Sequence, residues 1–226
     1  TTTGKIIFEK NSNERLEPAS MTKIMTLLLT FEAIDNGRVS LDDMVNISKR
    51  AEDMGGSQMF LEAGSNIRLE EIIKGVSIAS ANDGAIALAE FIGGSVENFV
   101  DMMNKKVEDL GLSNTHFANP HGLHADNHYS SAYDMAIMAS NLISHEKVLN
   151  YTSIYEDYFN KPDGSRTWLV NTNKLVRFLE GVDGLKTGYT SEAGYCLTAT
   201  AKKGNVRYIT VVMGEPSSDI RSSETA

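Results

Sequence analysis

Three short residue groups concentrate the reactive chemistry of this chain. The first is Ser20-x-x-Lys23. Residues three apart on a helix share a face, with a rise of roughly 4.5 Å between them. A lysine amine so placed reaches the serine hydroxyl, which is a poor nucleophile until a base removes its proton. Lys23 serves as that base only if its pKa falls toward neutrality, which burial and a second nearby cation both promote. A helix N-terminus at Ser20 also favours developing negative charge. The second group is Ser80-x-Asn82, whose hydroxyl and amide both face one cleft if the backbone there is not helical. The third is Lys186-Thr187-Gly188: a cation and a hydroxyl suited to a carboxylate, and a glycine that lets substrate backbone approach closely. Singly, each group is weak. An isolated Ser-x-x-Lys is more often a helix cap followed by a solvated lysine.

The elements that must position these groups can be read from the chain. Its 226 residues correspond to between one and two domains and bury a real core without disulfides. A hydrophobic share of 41% and a charged share of 23% exclude long disorder. The net charge of −9 argues against general affinity for nucleic acid. Cys196, the single cysteine, excludes an internal disulfide and a cysteine-rich zinc site. No apolar run approaches the ~20 residues that span a bilayer, and no leader-like segment opens the chain.

Residues 5–9, apolar around Ile6, Ile7 and Phe8, predict a strand. Residues 20–31 predict a helix that is apolar almost all round and therefore central, with Ser20 as its cap and Gly37 as its stop. Helical spacing recurs over 69–79, 83–92, 96–110 and 131–143, with Ser80-Ala81-Asn82 as a break and a His- and Asn-rich loop over 114–130. Residues 166–171, 195–201 and 206–213 predict strands, the last two joined by a hairpin at Lys203-Gly204-Asn205. One strand in front, helices in the middle and strands behind predict a sheet built from both chain ends with a helical region inserted.

The three groups do not stand alone. Pro18-Ala19-Ser20-Met21-Thr22-Lys23-Ile24-Met25-Thr26, Ser80-Ala81-Asn82-Asp83, Asn119-Pro120-His121-Gly122-Leu123, Tyr129-Ser130-Ser131-Ala132-x-Asp134-Met135-Ala136 and the run from Gly181 through Lys186-Thr187-Gly188-Tyr189 to Tyr195 resemble the low-molecular-mass penicillin-binding proteins that are D-alanyl-D-alanine carboxypeptidases. The resemblance covers nearly the whole chain. It implies an α/β (α+β) fold class of the β-lactamase/transpeptidase-like kind, an antiparallel sheet flanked by helices plus an inserted all-helical region. It implies one catalytic domain over 1–226, with a sheet region from about 1–19 and 151–226 and a helical region over about 20–150. Family members commonly add a C-terminal β-rich domain and a membrane-anchoring tail, which the resemblance places outside these residues.

The roles follow by resemblance. Ser20 attacks the carbonyl between two terminal D-alanines, and Lys23 takes its proton. Ser80 relays a proton to the leaving amine, and Asn82 holds the substrate amide and Lys23. Lys186 supplies positive field, Thr187 and Arg221 bind the terminal carboxylate, and the N–H groups of Ser20 and Tyr189 form an oxyanion hole worth ~3 kcal/mol per donor. Gly188 lies beside them. The implied substrate is a peptidoglycan pentapeptide ending in D-Ala-D-Ala, with β-lactams as covalent inhibitors of Ser20. No cofactor, metal or nucleic acid is implied. Membrane contact is implied only through segments outside this chain, and the location is exported, at the outer face of the bacterial cytoplasmic membrane.

Two rivals carry their own signals. Glu146-Lys147-Val148-Leu149-Asn150 matches the Glu-x-x-Leu-Asn motif of class A β-lactamases, but lies far from Ser80 and reads as a helix end. A non-catalytic penicillin-sensing or wall-binding module keeps the same motifs without turnover. His116, His121, His124 and His128 cluster in one loop without metal-ligand spacing, and Cys196 reads as core.

Overall fold

The helix that carries Lys23 is apolar on every side, and the rest of the chain is arranged to cover it. In a computed structural model describing residues 3–226, α1 (Lys23–Asp35) buries ten of its side chains, Lys23 among them. A 3-10 turn, Ala19–Thr22, leads into it. A two-stranded ribbon follows, β1 (Met44–Asn46) paired with β2 (Asn66–Arg68), with the single turn α2 (Lys49–Glu52) between them. The helices α3 (Leu69–Ala79), α4 (Asn82–Gly93), α5 (Val96–Asp109) and α6 (Ala132–Ser144) complete the helical layer. α1 packs on α4 and α6, and α6 packs on the sheet. Ser95 and Ser131 cap α5 and α6 by accepting the N–H of Asn98 and Asp134.

After the single turn α7 (Leu149–Thr152) come β3 (Glu156–Asn160) and β4 (Arg166–Val170), a separate antiparallel ribbon. A last short turn, α8 (Leu175–Phe178), precedes the main sheet of β5 (Val182–Thr190), β6 (Gly194–Lys203) and β7 (Val206–Glu215), antiparallel in that order. The expected β6–β7 hairpin is present, with Gly204 in the left-handed region at its turn. The helix α9 (Ser218–Thr225) lies back across β6 and β7. The 3-10 turn bearing Ser20 rests on β5, so helix and sheet meet at the serine.

Three expectations are corrected. Residues 5–9 form no strand; Ile6, Ile7 and Phe8 are 53%, 75% and 82% exposed, and no ladder pairs them. An apolar run has strand propensity but cannot form one without a partner edge, so the main sheet comes from the C-terminal third alone. The inserted region is not all helical, because β1 and β2 lie within it. Ser20 does not cap the helix. Its hydroxyl is turned toward Lys23 instead.

Core and corrected segment differ in a measurable way. Leu28→Ala, at a site 1% exposed, is expected to cost about 2–5 kcal/mol. Phe8→Lys is expected to change stability by less than about 0.5 kcal/mol. Urea melts of both variants check the pair; a large loss from Phe8→Lys would mean that residues 5–9 are packed in solution.

Candidate active site

Lys23 is the first residue of α1, directly after the 3-10 turn that carries Ser20. In a 3-10 turn side chains three apart nearly eclipse. This brings Lys23 Nζ to 3.0 Å from Ser20 Oγ. The amine lies 2.7 Å from two further oxygens, Asn82 Oδ1 and the His121 carbonyl. Both are acceptors only. In the neutral form, an amine with two N–H groups and one lone pair would give its N–H groups to these two oxygens and leave the lone pair for the serine hydroxyl. Lys23 is completely buried, and its pKa is held well below the usual lysine value, first by burial and then by the charge of Lys186.

Asn82 is oriented by its own contacts. Its Nδ2 donates to the Gly55 carbonyl at 2.8 Å, which leaves Oδ1 for Lys23. Its backbone N–H donates to the Ser57 carbonyl. α3 ends at Ala79, Ser80 adopts φ 62°, and α4 begins at Asn82, so the break expected between two helices is a left-handed residue. Ser80 Oγ is buried and has no hydrogen-bond partner among the described residues. Asp83 then accepts the N–H groups of Met59 and Leu61, at 3.1 and 3.0 Å. That grip leaves Phe60 between them at φ 62° and 57% exposed, a strained conformation for a bulky residue.

β5 supplies the third group. Lys186 is 1% exposed, and burial with the nearby Arg221 charge lowers its pKa to about 7. Its Nζ donates to the Thr187 carbonyl, and Thr187 Oγ1 donates to Thr172 Oγ1 at 2.6 Å. A Cβ on Gly188 would stand 2.7 Å from the Pro18 carbonyl and 3.1 Å from Ser20 N. The glycine is therefore needed for β5 to approach the serine turn, a reason different from the substrate contact expected. Tyr189 is half exposed and stacks on Tyr195 with ring centroids 4.4 Å apart. Arg221, on α9, is 8% exposed, and its Nε has no partner among the described residues.

A serine paired with a buried lysine, a left-handed serine beside an asparagine and a lysine on the adjoining strand thus converge from three elements. The sequence profile described as D-alanyl-D-alanine carboxypeptidase matches residues 1–217. The chain belongs to the D-alanyl-D-alanine carboxypeptidase family. It is 56% identical over 222 residues to the D-alanyl-D-alanine carboxypeptidase DacF of Bacillus subtilis, covering 98% of this chain and 57% of that relative. The chain therefore spans little more than half of the relative's length. Among solved structures, the D-alanyl-D-alanine carboxypeptidase DacD of Francisella tularensis superposes with a TM-score of 0.95 at 33% identity, over 99% of this chain and 66% of that one. Penicillin-binding protein D2 of Listeria monocytogenes, in its ampicillin-bound form, gives a TM-score of 0.86 at 30% identity, over 99% of this chain and 90% of that one.

The carboxypeptidase-family fold assigns the rival motifs elsewhere. Glu146 is exposed on the turn after α6, and no hydrogen bond ties it to the Ser20–Lys23 pair. The four loop histidines are engaged separately. His116 Nδ1 lies 2.6 Å from the Asn127 carbonyl, and His124 pairs with Glu17 at 2.8 Å. His121 Nδ1 accepts the Leu123 N–H. Cys196 is fully buried, and burial raises its thiol pKa.

Two contributors are invisible in motif reasoning. One is the His121 carbonyl, a backbone atom with no sequence signature. The other is His128. Its Nδ1 accepts the Ala118 N–H at 3.0 Å, so Nε2 carries the proton and donates to Thr22 Oγ1 at 2.7 Å. Thr26 Oγ1 donates to the Pro120 carbonyl at 2.6 Å. Thr22, Lys23 and Thr26 therefore fasten the 114–130 loop along one side of α1. A Cβ on Gly122 would fall 1.9 Å from the Ala19 carbonyl, at φ +90°, so only glycine permits this docking.

Burial lowers the pKa of His121 to about 3 and of His128 to about 4, so both are neutral in the folded chain. Unfolded, each protonates near pH 6.5. The unfolded chain binds more protons below that pH, so these groups stabilise the fold fully above it and progressively less as pH falls. Each contributes a slope of about 1.4 kcal/mol per pH unit between about pH 6 and 4.5. Denaturant melts of His128→Gln are expected to show a slope shallower than the parent's by about that amount. An unchanged slope would mean that His128 is not held neutral.

Proposed function

We propose that these 226 residues form one catalytic domain of an exported serine D,D-carboxypeptidase, which removes the terminal D-Ala from peptidoglycan pentapeptides. The observation that carries this reading is Lys23 Nζ, buried, 3.0 Å from Ser20 Oγ and bonded to two pure acceptors. Family membership supplies the substrate class.

The steps follow from these groups. Lys23 takes the Ser20 proton as Oγ attacks the carbonyl of the penultimate D-Ala, a contribution typical of general-base groups at about 10²–10⁴-fold. The N–H groups of Ser20 and Tyr189 receive the developing oxyanion. Ser80, whose buried hydroxyl has no protein partner among the described residues, passes a proton to the departing amine. The C–N bond breaks, D-Ala leaves with that proton, and an ester on Ser20 remains. Asn82 holds the substrate amide and keeps Lys23 aimed. Lys186 and Arg221 give the cleft a positive field, and Thr187 binds the terminal carboxylate. Water then attacks the ester, the C–O bond breaks, and Ser20 recovers its proton. Nucleophile, base and anion-binding donors are all protein side chains or backbone, so the reaction requires no cofactor.

A β-lactam presents an acyl group whose leaving amine stays tethered, so the Ser20 ester should persist. The substrate lies in the wall, which puts the working site outside the cytoplasmic membrane. Among the described residues no helix is long and apolar enough to cross a membrane.

Intact mass after benzylpenicillin addition tests the reading together with peptide turnover. One stable adduct at Ser20 and D-Ala release from an acyl-D-Ala-D-Ala peptide are expected, and Ser20→Ala should lose both. Lys23→Ala should slow acylation by about 10²–10⁴-fold. Rapid drug hydrolysis without an adduct would indicate a β-lactamase, and a lasting adduct without peptide turnover a sensor.

A further inference from the structure

The β3–β4 ribbon carries an aromatic face that the chemistry above does not use. Strand alternation turns Phe159 and Leu169 into the core and Tyr158 and Trp168 outward. Tyr158 and Trp168 are direct cross-strand partners, so their rings share one face, 43% and 59% exposed. The Arg166 guanidinium lies 4.4 Å from the Tyr158 ring centroid. Trp168 Nε1 donates to Glu156 Oε2 at 3.2 Å. The core side of the ribbon needs neither ring, and a large aromatic pair left in water marks an interaction surface.

The chemistry of this face selects its occupant. The rings offer apolar planes, while Glu156 and Arg166 offset one another in charge and fringe those planes with hydrogen-bonding groups. A sugar ring is complementary: C–H bonds across one face, hydroxyl and N-acetyl groups around the edge. A polyanion would need a net positive surface, and the chain carries −9.

The position of the ribbon relates it to the cleft. Its inner side is fastened by Thr167 Oγ1, which donates to the Met59 carbonyl at 3.2 Å. Met59 N–H is held by Asp83, the neighbour of Asn82, and Asn82 holds Lys23. The ribbon thus continues the side of the site built around Ser80 and Asn82. A polymer whose peptide end occupies the Ser20 cleft must run its glycan across the outside of the protein.

We propose that the Tyr158–Trp168 face is a docking surface for the glycan backbone of polymeric peptidoglycan. This rests on the carboxypeptidase reading for its substrate. Trp168 is the only tryptophan of the chain, so its fluorescence reports occupancy directly. Titration with an uncharged N-acetylglucosamine oligosaccharide, which presents the acetamido-sugar rings of the glycan without the free lactyl carboxylates of peptide-free muramic acid, is expected to give a saturable blue shift, weakened in Tyr158→Ala. Trp168→Ala should raise KM for D-Ala release from uncrosslinked polymeric peptidoglycan about three- to tenfold. Its benzylpenicillin acylation and its turnover of a soluble acyl-D-Ala-D-Ala peptide should stay within about twofold of the parent. An emission unmoved by the oligosaccharide overturns the proposal. So does an equal loss on soluble and polymeric substrates, which signals a structural role. A shift produced by phosphatidylcholine vesicles and not by the oligosaccharide would assign the face to a lipid surface instead. If the parent binds the oligosaccharide but releases D-Ala from no substrate, the carboxypeptidase reading fails while the glycan surface stands.

Discussion

The amine of Lys23 enters the interior with no carboxylate bonded to it among the described residues, and the surrounding structure is organised by that fact. An ammonium there would lose its hydration without a contacting counter-ion, at a cost of several kcal/mol. The neutral amine loses far less, and Asn82 Oδ1 with the His121 carbonyl satisfies both its N–H groups. Burial thus favours the neutral form, and in that form the two acceptors would direct the lone pair toward Ser20. Lys186 reinforces the first effect by its charge, and Arg221 acts in the same sense on Lys186. The charges of Lys186 and Arg221 beside the Lys23 amine make a site that disfavours further protonation and attracts an anionic peptide terminus.

Holding this arrangement requires backbones closer than side chains allow. Gly188 lets β5 lie against the serine turn from the sheet side, and Gly122 lets the 114–130 loop lie against it from the helical side. At Gly56 a Cβ would meet Asn82 Nδ2 at 2.7 Å, on the face that orients that amide. At each of these three glycines the nearest atom belongs to a motif residue or to a residue within two positions of one. His128 works on the same principle with hydrogen bonds: one imidazole joins Thr22 to Ala118 and so ties the nucleophile turn to the loop whose carbonyl holds Lys23. The strained φ of Ser80 and Phe60 lies along the second wall of the same cleft.

Much of this was legible in the residues. The central helix showed in its unbroken apolar run, the β6–β7 hairpin in its turn residues, and the reactive groups in their types and spacing. What escaped had physical causes. Residues 5–9 have strand composition, but pairing depends on a partner edge that local sequence does not encode. β5 contains Lys186, Thr187 and Gly188, a polar and glycine-bearing run that lacks strand propensity and forms one because both faces are buried. The His121 carbonyl belongs to the backbone, and any residue presents the same atom. His128 was visible only as one of four loop histidines, because its two partners lie 106 and 10 residues away in sequence.

The protonation state of Lys23 is the most direct test of this account. Lysines labelled with ¹³C at Cε can be followed by NMR across pH in the parent chain and in Lys23→Arg. The resonance that disappears in the variant should titrate well below the usual lysine value. A resonance titrating near 10.4, as for a lysine in water, would contradict the account. Lys23 would then be an ammonium at working pH and unable to take the serine proton.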